Sequence, residues 1–264
     1  MTNIFNNLDW SVLTNILIAV IPALICITLH ELAHGFTAYR LGDRTAKDMG
    51  RLTLNPIKHI DIFGLLMMVI FRFGWAKPVP VDMRNFKKPK WYMAITAIAG
   101  PLSNIVIAIV AFFIFGLVIT SLGGSVLFDV SGLGITPENI GEIYNDEGSV
   151  FIISGGGVVL ADGIRAIIIE IIYITAYISI AFAVFNMLPI PPLDGSKVIF
   201  SLLPEKAYYN LMRYERYGMI LLIIFISVDR FINVDIFDAT IGHLTRSLEI
   251  GLSNIWVAAF NLVN

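Results

Sequence analysis

The sequence predicts an all-α fold: a multi-pass transmembrane helical bundle with a short re-entrant or β-hairpin segment near 62–81. Three observations lead there. Of 264 residues, 57% are hydrophobic and 14% charged, with mean hydropathy +0.79, far from the half-apolar, quarter-charged average of soluble domains. Apolar runs reaching the roughly 20 residues that a bilayer-crossing helix needs recur along the chain. The segments between them are polar and mostly short, so a single folding unit over 1–264 is expected.

The first span runs from Val12 to Tyr39, with Pro22 as a bend. Residues 40–61 are polar and basic. "IFGLLMMVIF", Ile62 to Phe71, is too short to cross as a helix, so it either re-enters or forms a hairpin. Pro78 and Pro80 then favour an extended path through a second basic stretch, with Lys77, Arg84, Lys87, Lys88 and Lys90. Trp91 to Leu122 is the next span, interrupted by "AGPLSN" at 99–104.

The loop from Gly123 to Gly163 holds six acidic residues and neither lysine nor arginine. By the positive-inside rule it faces out while the basic loops face the cytoplasm. Its apolar patch, Val150 to Ile153, reads as an edge strand or a surface turn. Ile164 to Leu188 returns to the cytoplasmic side and ends in "FNMLPIPPLDGSKVIF". Tyr208 to Val228 crosses outward, and Ile250 to Val263 is either a last span or an interfacial helix. Trp75, Trp91 and Trp256 suit the headgroup belt. Arg213, Glu215 and Arg216 read as an interfacial charge cluster. Glu170 lies inside a span, where it either pairs with Arg165 or serves a proton path.

Some classes drop out at this stage. The net charge is −2 and no lysine-rich run resembles a nucleic-acid footprint. One cysteine, Cys26, leaves no disulfide framework. "MTNIFNNLDW" lacks the basic start of a cleavable signal peptide.

The chemistry begins at His30, Glu31 and His34, an H-E-x-x-H pattern inside an apolar span. Positions i and i+4 of a helix sit about 40° apart and one turn apart along the axis, so two imidazoles can grip one metal ion. The intervening glutamate points about 100° away; it serves better as general base toward a water on the metal than as a ligand. Placing three ionisable groups in hydrocarbon costs a few kcal/mol each, which makes the cluster a functional candidate rather than a polar packing stripe.

A catalytic zinc takes three protein ligands and leaves one position open. His59 lies on the right side by topology, whereas His243 falls in an outside loop. Thr37 and Arg40 stand where a third-histidine extension of the motif needs glycine and histidine, and no glutamate occurs between Glu31 and Glu138. Cys26 and His34 are about 12 Å apart along the axis, too far to share an ion, so Cys26 is expected to pack. Asp194 is the best remaining candidate. It follows Pro189, Pro191 and Pro192, which hold the chain extended, and precedes Gly195. A solvated aspartate at a proline-rich helix stop is the alternative.

"HELAH", "GPLSN" and "NMLPIPPLDG", in this order and embedded in hydrophobic spans, resemble the site-2 protease family of intramembrane zinc metalloproteases over residues 20–200. The resemblance implies Zn2+ held by His30, His34 and Asp194, with Glu31 activating water. It also implies that Asn104 and Asn186 line the cleft, holding substrate backbone or the developing oxyanion; interhelical hydrogen bonding is the alternative for each. Family members cut transmembrane segments of regulatory proteins, and many carry a PDZ or CBS module for which this chain has no room. The implied partners are a transmembrane protein or peptide substrate and membrane lipid, with any oligomer undetermined. The implied setting is a multi-pass protein of a prokaryotic plasma membrane, its active site toward the cytoplasm. Because a helical peptide bond is already hydrogen-bonded, cleavage needs local unwinding, and the edge from Phe71 to Val81 is a candidate for pairing with the unwound strand. Two other classes remain: a metal-ion transporter, against which the lack of repeated halves counts, and a non-catalytic membrane scaffold.

Overall fold

The structure, a computed structural model, describes residues 10–71, 75–121, 150–154, 157–161, 163–232, 242–245, 247, 248 and 251. In chain order the helices are α1 (Trp10–Arg40), α2 (Thr45–Asp48), α3 (Ile62–Phe71), α4 (Pro89–Ser121), α5 (Gly163–Asn186), α6 (Asp194–Phe200) and α7 (Glu205–Ile232). Two strands, β1 (Val150–Ser154) and β2 (Gly157–Ala161), stand between α4 and α5.

Among the described residues, three stretches are long and apolar enough to cross a membrane: Val20–Arg40 in α1, Pro89–Val118 in α4 and Ile167–Asn186 in α5. The multi-pass helical expectation holds at this level. The crossing expected at Tyr208 to Val228 is helical, but α7 opens with a charged half containing Glu205, Lys206, Arg213, Glu215 and Arg216 and does not join the three. The stretch from 123 to 149, and nearly all of 250–263, lie outside the described residues.

α4 shows how such a helix is sorted. Its buried stripe is small: Ala94, Ala97, Gly100, Asn104, Ala108 and Ala111 recur at three- and four-residue steps. Its exposed side is large and apolar, with Leu102 at 58%, Val106 at 52% and Leu117 at 47% exposure. In lipid the apolar residues gain nothing by turning inward, so small residues that let backbones approach closely occupy the packed face.

Two open alternatives are narrowed. The segment near 62–81 forms no hairpin among its described residues: Ile62–Phe71 is a ten-residue helix. Its amino end is secured by the Asp61 side chain, which accepts from Gly64 N at 2.8 Å. Pairing across its flanks is limited to an Ile60–Ala76 bridge and a Lys77 N to His59 O bond of 2.9 Å. The mostly helical fold also holds one short strand pair. β1 and β2 pair antiparallel from Val150 opposite Ala161 to Ser154 opposite Gly157, so the apolar patch at 150–153 is a strand.

The chain forms two compact units: Leu24–Ile107 with Ser179–Arg246, and Met1–Ala23 with Ala108–Ile178 and Ser247–Asn264. The hairpin belongs to the second. All six predicted site residues belong to the first.

In that first unit the polar connections are tied to α1. Asp43, just past α1, is fully buried and accepts from Thr45 N, Asp82 N and Asn85 Nδ2 at 3.1, 2.8 and 2.7 Å. This pins the turn at 82–85 beside the end of α1. Arg51 Nη2 donates to Lys77 O at 2.8 Å, holding the extended 75–82 stretch from its other end.

Candidate metal centre

His30 and His34 are buried on one stripe of α1, their rings edge-to-face with centroids 4.6 Å apart. Asp194, the first residue of α6, is buried with them. Its Oδ2 lies 3.2 Å from His30 Nε2 and 3.0 Å from His34 Nε2, and the two Nε2 atoms are 3.0 Å apart. Among the described residues this is the one group of three or more His, Cys, Asp or Glu able to share an ion.

α4 forms the wall behind the rings. At Gly100 a Cβ would stand 2.4 Å from His34 Cε1 and Nε2 and 2.6 Å from His30 Cε1, so only glycine lets the helix backbone come this close. One turn back, Thr96 O accepts from His34 Nδ1 at 2.7 Å. A carbonyl can only accept, so Nδ1 carries the proton and a neutral His34 presents a bare lone pair at Nε2. One turn on, Asn104 is fully buried with its amide nitrogen 3.1 Å from His30 Nδ1, while its Oδ1 has no partner. Turning the amide over gives Oδ1 a proton to accept from His30 Nδ1 and frees His30 Nε2 in turn. Each imidazole is then oriented through its far nitrogen by α4, as metal-ligating histidines are.

The donor set therefore fits a divalent cation. Two imidazole lone pairs and a carboxylate oxygen converge at 3.0–3.2 Å, an arrangement that repels itself unless something positive sits between them. Zinc with bonds of about 2.0–2.2 Å spaces tetrahedral ligand atoms by about 3.3–3.6 Å.

Asp194 reaches the rings because the proline segment folds back on itself. The Pro191–Pro192 bond is cis, and Leu193 N donates to Ile190 O at 2.9 Å. A Cβ on Gly195 would lie 2.1 Å from Met187 O, so the start of α6 sits directly on the backbone that leaves α5.

Glu31 faces a different element. Its Oε2 accepts from Val79 N at 2.7 Å. Val79 stands between Pro78 and Pro80, which have no N–H, so this bond takes the sole donor of the triplet. Lys77 N is committed to His59 O. Residues 77–80 thus have no free N–H for an added strand, which narrows the expected substrate edge, and 72–74 lie outside the described residues.

The other predicted residues lie elsewhere. Asn186 Nδ2 donates to Phe182 O one turn back in α5, at 3.0 Å. His59 is buried and donates from Nε2 to Thr53 O at 2.9 Å, outside the ligand group. Cys26 is fully buried with its sulfur 2.9 Å from Ser179 Oγ. Glu215, expected in an interfacial cluster, pairs with Lys197, their charged atoms 3.4 Å apart. Sequence reasoning missed Lys197, although its place three residues after Asp194 puts both on one face of α6. The Thr96 carbonyl and the Val79 amide carry no side-chain signal and could not have been read.

The model of peptidase family M50 matches residues 18–227. The chain is similar to YwhC of Bacillus subtilis, 34% identical over 205 residues and 78% of each chain, and provisionally named a zinc metalloprotease. It is also similar to two proteins called Rip2 that are provisionally named in the same way. The Mycobacterium tuberculosis protein is 24% identical over 76% of this chain and 63% of its own. The Mycolicibacterium smegmatis protein is 34% identical over 33% of this chain and 35% of its own. No solved structure matches. With the matched stretch enclosing both histidines, Glu31, Asn104 and Asp194, and with three helices fit to cross a bilayer, the chain belongs to peptidase family M50, the site-2 protease family, and is an integral membrane metalloprotease.

Proposed function

We propose that this protein is an intramembrane zinc endopeptidase that hydrolyses peptide bonds within or near transmembrane segments of other proteins. The observation that carries the reading is the convergence of His30 Nε2, His34 Nε2 and Asp194 Oδ2 beside a glutamate whose carboxylate is separately held. Zinc, when bound, supplies Lewis acidity and brings the pKa of a water ligand from 15.7 to about 7.

His30, His34 and Asp194 hold the ion. Val79 N–H fixes Oε2 of Glu31, leaving Oε1 to take the water proton and return it to the departing amine as a general acid. Asn104 keeps the His30 ring in its ligating tautomer, a role its position favours over contact with substrate. Asn186, half-buried at the end of α5, is the residue left to bind substrate backbone. The basic stretches at 40–61 and 77–90 support a cytoplasmic-side site in a prokaryotic plasma membrane, with lipid and a single-span substrate as partners.

Glu31→Gln in purified protein, assayed on a panel of single-span peptides, tests this. It is expected to keep its zinc and to lose at least about 100-fold in cleavage, the scale of a missing general base. Retained cleavage overturns the base assignment. Chelator-resistant cleavage by the parent overturns the metal assignment. Metal flux that persists in the variant points to a transporter.

A further inference from the structure

The two oxygens of Asp194 have different neighbours. Oδ2 faces both imidazoles at 3.2 and 3.0 Å, whereas Oδ1 faces Lys197 Nζ at 3.7 Å. Lys197 is in turn held by Glu215 Oε1 at 3.4 Å, from α7. Lys197 and Glu215 are 18% and 25% exposed at their side chains, so this is a largely enclosed pair. A second contact fixes α7 in place. A Cβ on Gly218 would lie 2.5 Å from Pro191 O, so the turn of α7 after Glu215 lies against the proline segment that delivers Asp194.

We propose that the Lys197–Glu215 pair is a positioning device that restricts Asp194 to ligation through Oδ2 alone, keeping the remaining coordination position open for water. This rests on the metalloprotease reading of the His30, His34 and Asp194 site. The physical argument is one of competition. A carboxylate can ligate through one oxygen or two, and a cation held at Oδ1 opposes the second mode both by attraction and by occupying the space in front of that oxygen. Zinc catalysis depends on the outcome, because a second carboxylate oxygen raises the coordination number and crowds the position that the reaction needs for water. Glu215 keeps Lys197 from adding an uncompensated positive charge beside a dication. It also makes α7 part of the site, although Glu215 is outside the ligand group.

Cobalt(II) in place of zinc tests the assignment, because its visible bands are intense in four-coordinate sites and weaken as coordination rises. The parent is expected to give intense bands. Lys197→Met is expected to bind cobalt within about tenfold of the parent, to show weakened bands, and to lose 10- to 100-fold in cleavage with zinc, the range for removing an outer-shell partner. Lys197→Arg should restore both band intensity and rate. If Lys197→Met fails to fold because Glu215 is left buried and unpaired, the double variant Lys197→Met/Glu215→Leu removes both charges and should show the same weakened bands. Parent-like bands in a folded variant lacking Lys197, or no rescue by arginine, overturn the proposal. Failure of the parent to bind cobalt at all overturns the metal site instead, so the two failures are distinct.

Discussion

Asp43 and Asp194 are both buried carboxylates in the same unit, and each joins segments far apart in the chain. Their neighbours are opposite in kind. Asp43 meets only donors: Thr45 N, Thr45 Oγ1, Asn85 Nδ2 and Asp82 N, all within 3.1 Å. Asp194 Oδ2 meets two imidazole nitrogens, one of which has its proton committed to Thr96 O on the other side of the ring. A carboxylate enclosed by donors is complete and holds structure. Asp194 instead turns one oxygen to ring nitrogens that can present lone pairs, the surroundings of a metal ligand. Burial alone does not separate them, nor does sequence distance.

The contrast predicts effects of different kind from the same substitution, and these are the largest expected. Asp194→Ala removes a ligand, so zinc affinity measured against a competing chelator should fall by more than about 100-fold, beyond the range for outer-shell residues. Stripped of metal, that variant should unfold close to the parent. Asp43→Ala should do the reverse. It orphans the backbone amides of Thr45 and Asp82 and should cost about 3 kcal/mol in denaturant or thermal unfolding, with zinc affinity kept while the protein stays folded. Equal metal loss in both variants would erase the distinction.

Gly100→Ala sharpens the comparison with a smaller effect. Helix propensity alone favours alanine by about 1 kcal/mol. The added methyl, however, would stand 2.4 Å from the His34 ring, and one of the two must move. The expected result is weaker zinc binding by about 10- to 100-fold with metal-free stability unchanged or raised. Parent-like affinity would mean that α4 does not form the wall behind the imidazoles.

Much of this was legible in the sequence, for reasons that differ by residue. His30 and His34 were legible because helical spacing fixes their relation over four residues. The crossing helices were legible because lipid demands long apolar runs. Asp194 needed both a topology and a resemblance, since its approach depends on how a proline segment folds back on the end of α5. The proline alternation at 78–80 was visible and indicated an extended chain, but not that Val79 N–H would hold Glu31. The pairing of Glu215 was not legible, because Arg213 and Arg216 surround it in sequence whereas its partner Lys197 lies on a different helix. Ile62–Phe71 was open between re-entrant and hairpin forms. Length excluded a full crossing without choosing the helix, and the Asp61 cap that starts it is a single local bond.

The smallest effect concerns acid. Beside Asp43 lies Asp82, whose carboxylate is held by Arg84 hydrogen bonds at a pKa of about 2, against an ordinary 3.8. For Asp43, burial pushes the carboxyl up, yet bonds from Thr45, Asn85 and Asp82 win and lower it. Both folded-state values lie below the unfolded ones, so between them the unfolded chain binds more protons and stability increases with pH. The contribution is fully present above about pH 4 and is lost as pH falls toward the folded values. Asp82→Asn removes one of the two groups while keeping an oxygen to accept from Arg84 N. Metal-free Asp82→Asn should therefore match the parent near pH 7, where an exposed pair contributes little, and decline less steeply between pH 4 and 2.5. Identical acid limbs would assign the whole dependence to Asp43 and the rest of the protein, leaving the Asp82–Arg84 pair without a part in holding the turn.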